Sequence, residues 1–111
     1  MALKYLSELN KESVFRGYEL AASAPGDGDW IILDEIEPGK PFTVGLDIGT
    51  GSGSIEFTSR TVEALEAGET INEEVWSLGT IAATKTATFP SHVTAVRMVN
   101  SSGTTTMVIT P

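Results

Sequence analysis

The sequence predicts an all-β domain over residues 17–111, an antiparallel β-sandwich or jelly roll, preceded by an N-terminal arm or short helix over residues 1–16. Three observations lead there. Phe42, Val44, Leu46 and Ile48 alternate with Thr43, Gly45 and Asp47, the period of two of a half-buried strand. The runs 84–89, 93–99 and 104–110 are rich in Thr and Val, whose β-branched side chains suit a pleated surface. Turn clusters separate the apolar runs at intervals of roughly 8–12 residues, the rhythm of a sandwich.

Taken in order, the first segment stands apart. Leu3, Leu6 and Leu9 among Lys4, Glu8, Lys11 and Glu12 fit one or two amphipathic helical turns, with Val14 and Phe15 just before Gly17. Two readings remain open for it: a terminal segment packed on the domain, or an arm that reaches a partner. Tyr18-Glu19-Leu20 begins the β signal. Trp30-Ile31-Ile32-Leu33 is apolar on both faces, which marks a central strand. After the 42–48 strand, Ile55 and Phe57 alternate with Ser54, Glu56 and Thr58. Thr61 to Gly68 is the internal stretch with helical character, with Gly68 as its stop. The turns fall at residues 24–29, 37–41, 49–53 and 100–103, each built from Gly, Pro, Asp, Asn or Ser.

Composition narrows the function. A chain of 111 residues makes one domain, and 41% hydrophobic with 20% charged residues is a globular balance. The absence of cysteine removes disulfides, thiol chemistry and Cys-ligated metals, and a single histidine, His92, builds no His-based cluster. We expect no metal and no cofactor. The opening residues lack the apolar run of a secretory signal, and no run approaches the ~18 apolar residues of a membrane span. A reducing cytoplasm is the expected site of synthesis and assembly. All 15 acidic residues lie within 1–74 against five basic ones, a charge of −10; Lys85 and Arg97 add +2, giving the net −8. Such a body repels phosphate backbones, so nucleic acid is not an expected partner.

The motifs that resemble chemistry have plainer explanations. Leu46-Asp47-Ile48-Gly49-Thr50-Gly51-Ser52-Gly53 looks like the cofactor loop of a methyltransferase, but strand periodicity follows it where that fold needs a helix, and a glycine-rich hairpin turn accounts for the same residues. Asp27-Gly28-Asp29 resembles the start of a calcium loop, yet the twelfth position, where a glutamate is required, is Pro38. Glu73-Glu74 and Asp34-Glu35-Glu37 are carboxylate groups without a second catalytic residue type beside them. His92 next to Ser91 has no nucleophile elbow. Asn100-Ser101-Ser102 is a glycosylation sequon only for a secreted chain. Trp30 and Trp76 are expected in the core rather than as a sugar-stacking platform. No catalytic residue is assigned, and the chain is not expected to be an enzyme.

Trp76-Ser77-Leu78-Gly79-Thr80, then Thr86-Ala87-Thr88-Phe89-Pro90, then Val93 to Asn100 and Gly103, resemble a pattern in the small capsid decoration, or stapling, proteins of tailed bacteriophages. The match covers about a third of the chain. The resemblance implies that the first two segments and the 93–100 strand form a closing sheet of a jelly roll on the outer capsid surface of the virion. It also implies a homodimer that clamps neighbouring subunits of the major capsid protein, with no catalytic residue. On this reading the 1–16 segment is the contact element: Leu3, Tyr5, Leu6, Leu9, Val14 and Phe15 as apolar anchors, and Lys4, Lys11 and Arg16 as cations for carboxylates on the shell. Deleting residues 1–12 would then weaken association more than folding. A carbohydrate-binding module or phage adhesin domain is the alternative.

Overall fold

The computed structural model describes residues 3–8, 10–12, 17–37, 40–71, 73–89 and 93–110, with backbone alone at 10–12 and 17. Among them the chain runs through β1 (Leu3–Tyr5), a 3-10 turn (Leu6–Glu8), β2 (Asn10–Glu12), β3 (Gly17–Ala22), β4 (Gly26–Asp27) and β5 (Trp30–Ile32). It continues through β6 (Phe42–Ile48), β7 (Ser52–Thr58), α1 (Val62–Glu66), β8 (Glu74–Val75), β9 (Lys85–Phe89), β10 (Ala95–Ser102) and β11 (Thr105–Thr110). The strands form two sheets. One has the order β1-β5-β10-β7-β8, with β4 also on β10; the other has the order β2-β3-β11-β6-β9. The all-β sandwich predicted from the sequence is the fold.

Its centre is a pair of long strands that both pass from one sheet to the other. β7 pairs β10 in the first sheet, β6 pairs β11 in the second, and both pairings are antiparallel. The two passages run side by side at the corner, where Gly49 N–H donates to Thr104 O at 2.9 Å and Thr104 N–H donates to Thr50 O at 3.1 Å. The backbones are so close that a Cβ on Gly51 would lie 2.1 Å from Ser102 O, and one on Gly103 would lie 2.3 Å from Thr50 O. Both glycines also have positive φ, +79° and +72°, which side-chain-bearing residues rarely adopt. The 49–53 glycine run, predicted as a hairpin turn, is therefore a corner between sheets. Its glycines serve a close backbone approach.

The main core fills the space between the sheets. Val44, Leu46, Met107 and Ile109 from the second sheet meet Ile31, Ile55, Val96 and Met98 from the first. Phe89 stacks on Phe42 at 5.4 Å between ring centroids and meets Phe57 edge-on at 5.2 Å. The second sheet turns Glu19, Asp47, Thr86 and Thr88 outward to water. The first sheet is covered on its outer side as well. There α1 lays Leu65 against Trp30, Ile32 and Ala95, a smaller second core. The Thr61 hydroxyl caps this helix by accepting from Ala64 N–H at 3.2 Å, and the chain leaves it at Gly68, the predicted stop. Burial on both sides explains why Trp30-Ile31-Ile32 is apolar without alternation.

Two parts of the sequence expectation resolve differently. The 1–16 segment is neither a continuous helix nor, where it is described, a free arm. β1 joins the first sheet beside β5, in the parallel sense, while β2 pairs β3 in the second. Between them Leu6 is fully buried in the main core. Leucines spaced three apart fit a helix equally well in sequence, but Leu3 and Tyr5 point to one side of a strand and Leu6 enters the interior from the turn that follows. The implied single closing sheet is also not formed. Trp76 to Thr80 makes a turn closed by Gly79 N–H to Trp76 O at 3.1 Å, and β9 and β10 lie in opposite sheets.

Candidate interaction surface

At one end of the first sheet, β1, the loop after β5, and the starts of β6, α1 and β10 converge on a cleft of about 280 Å³. Ile32, Leu33, Phe42 and Val93 form its floor, and Tyr5, Ile36 and Val62 stand at its sides. The loop is fixed by its own backbone and by the turn after β1. Ile36 N–H donates to Leu33 O at 3.2 Å, and Leu33 N–H donates to Thr94 O at 3.1 Å. The Ser7 N–H and hydroxyl donate to the two Asp34 carboxylate oxygens at 3.1 and 2.6 Å. An apolar floor is thereby held open by polar bonds at its rim.

The rim is acidic. Asp34 and Glu37 line the cleft, and Glu8 and Glu66 flank Tyr5, whose N–H donates to Glu8 at 3.1 Å and whose hydroxyl donates to Glu66. That hydroxyl bond favours the protonated phenol. Together with partial desolvation and the charges of Glu66, Asp34 and Glu8, it raises the Tyr5 pKa above the ordinary tyrosine value. Among the described residues that line the cleft there is no basic side chain.

The predicted contact residues do not act together. Tyr5 borders this cleft, while Leu3 lines a separate groove with Leu65 and Ile71 on the α1 side. Lys4 lies 3.7 Å from Asp29, and Leu6 is in the core. Lys11 lies in β2 opposite Tyr18, with its side chain outside the described residues, as are Leu9, Val14, Phe15 and Arg16. Sequence reasoning missed Ile36, Val62 and Val93, which come from three separate stretches of chain. It noticed the acids at 34–37 as carboxylates but had no means of placing them on an apolar rim.

The other motifs are occupied by structural roles. Arg97, 8% exposed on the outer side of β10, lies over the Trp30 ring at 4.7 Å. Its guanidinium is 2.6 Å from Glu56 and 3.6 Å from both Asp27 and Glu73. Asp27 and Asp29 thus face cations of their own chain. Among the described residues no group of three His, Asp or Glu side chains is placed to hold a metal. Asn100 is 1% exposed and its amide donates to Ala24 O and Gly103 O at 2.9 and 2.8 Å, which ties two turns together and leaves the sequon nitrogen engaged. Trp30 and Trp76 are 0% and 3% exposed, in the core as predicted. His92 and Ser91 lie outside the described residues.

No family model and no curated protein matches the chain. Among solved structures it is similar to a chain from work described as "Bacillus endospore appendages form a novel family of disulfide-linked pili". The identity is 19% over 84% of this chain and 83% of that one, with a TM-score of 0.37. A likeness at that level bears on neither the fold nor the function of this chain.

Proposed function

We propose that this chain is a non-enzymatic accessory capsid protein that binds the outer surface of an assembled phage shell and clamps neighbouring capsid subunits. The observation that carries the reading is the open apolar cleft beside Tyr5, rimmed by Asp34 and Glu37. The floor itself is nearly buried, with Ile32, Leu33, Phe42 and Val93 at 3–8% exposure, so the cleft offers a partner a place to seat a side chain between polar rims rather than a broad apolar face. The sequence resemblance over Trp76 to Gly103 supplies the class of partner. The carbohydrate-binding alternative rests on the jelly-roll pattern and on Trp30 and Trp76 as stacking rings, and both tryptophans are buried.

By binding the assembled lattice and not the free subunit, such a protein stabilises the shell by roughly RT ln(1 + [L]/Kd) per site. The test is co-sedimentation with shells assembled from a tailed-phage major capsid protein. Saturable binding to shells, no binding to unassembled subunits and a raised shell-disruption temperature are the expected results. Equal retention by free subunits, or no retention by shells, overturns the reading, and specific retention on a glycan array would favour the alternative.

A further inference from the structure

We propose that the cleft beside Tyr5 receives an extended basic segment of the partner protein, with one large apolar side chain seated on the Phe42–Val93 floor and flanking Lys or Arg groups on Asp34 and Glu37. This rests on the protein-binding reading above and names the chemistry the partner presents.

The cleft fixes the occupant in two ways. Open to solvent and with a volume of about 280 Å³, at the lower end of small-ligand sites, it has room for a side chain or two projecting from a longer segment. Its floor is aliphatic and aromatic, which rewards an apolar group. Charge decides the rest. Asp34 and Glu37 line the rim, Glu8 and Glu66 are bonded to Tyr5 beside it, and the raised Tyr5 pKa has part of its cause in the charges of Glu66, Asp34 and Glu8. Three of the described basic residues are already engaged elsewhere, Lys4 with Asp29 at 3.7 Å, Arg60 with Glu69 at 2.5 Å and Arg97 with Glu56 at 2.6 Å. A second copy of this chain is a poor occupant, because residues 1–74 carry −10 and like charges across a contact repel. A basic partner segment is attracted to this rim, faster and more tightly at low salt.

The test uses the full chain and a short blocked peptide with a central phenylalanine flanked by lysines. Two control peptides replace the phenylalanine by serine or the lysines by glutamate. Amide chemical shifts are followed during titration. We expect saturable shifts confined to Ile36, Phe42, Val93, Thr94 and their neighbours, much weaker with either control and weakened by salt. Glu37→Lys, an exposed position, should reduce affinity about two- to tenfold, the span of losing an exposed ion pair and adding its repulsion. Ile36→Ser should reduce it further; should that variant melt early, Glu37→Lys and the control peptides still decide. Shifts spread evenly over the acidic surface, shifts indifferent to the phenylalanine, or none at all overturn the proposal. The same variants on shells separate the two readings. Shell binding untouched by Glu37→Lys and Ile36→Ser sinks the cleft and leaves shell binding standing. A peptide that seats in the cleft while shells go unbound does the reverse.

Discussion

Arg97 shows how a single residue is held and what its loss would do. It is a cation taken out of water on the covered side of a sheet, with Glu56 against it and the Trp30 ring beneath. Removing one partner of such a pair leaves the other charge without compensation. Arg97→Met is therefore expected to cost about 3–5 kcal/mol in urea melts, and adding Glu56→Met should recover much of that, because the buried charge is then gone as well. A single variant within about 1 kcal/mol of the parent would show that Glu56 simply turns to solvent. Tyr5 makes a different claim, about pH. Its hydrogen bond to Glu66 stabilises the protonated phenol, so the folded-state pKa lies above the unfolded value of about 10. The contribution is whole below pH ~10 and is lost as pH rises through the folded value. In a difference titration of tyrosinate absorbance, the transition missing from Tyr5→Phe should have its midpoint above 10. A midpoint at or below 10 would show the bond to be absent in solution.

Among the elements, the corner between sheets is the one whose sequence requirement is strictest. Gly51 and Gly103 each face the other passage's backbone, and neither a different rotamer nor a small shift of a side chain can make room. Gly51→Ala should cost more than about 2 kcal/mol, combining the left-handed penalty of roughly 1–2 kcal/mol with displacement of Ser102 O. Hydrogen exchange should speed up in β6, β7, β10 and β11 together, since the four strands meet at that corner. Faster exchange in one passage alone would mean that the two passages are not coupled. The alternation in 42–48 made β6 legible from sequence, because one side faces the core and the other faces water. The glycine run was legible as a turn but not as a change of sheet, because local periodicity carries no information about which sheet the next strand joins.

At the scale of the whole molecule, the described part of the N-terminal segment belongs to the globule. The radius of gyration is 12.9 Å, close to the ~13 Å of a single domain of about 100 residues. β1 extends one sheet, β2 extends the other, and Leu6 between them is fully buried. Leu6→Ala should cost about 2–5 kcal/mol, the range for truncating a buried leucine. Deleting residues 1–12 should lower the melting temperature sharply or abolish cooperative melting, since both an edge strand of each sheet and a core side chain are removed. A truncated chain that melts like the parent would restore the arm as a separate contact element.

By itself the sequence determined the class of fold, the core-facing side of β6 and the burial of both tryptophans. Period-two alternation, β-branched runs, a capped helical stretch and buried tryptophans are set by local sterics and by hydrophobicity, and both are read from neighbouring residues. Which strands would share a sheet, and therefore where a surface cleft would open, depended on pairings between distant segments. Leu3 to Leu6 could equally have been helix or arm until β5 offered an edge to pair with and the core offered a space for Leu6. The Tyr5 cleft is assembled from residues as far apart as 5, 36, 62 and 93. The tertiary structure alone decided it, because only the completed pairing of both sheets leaves that cleft open and brings Asp34 and Glu37 to its rim.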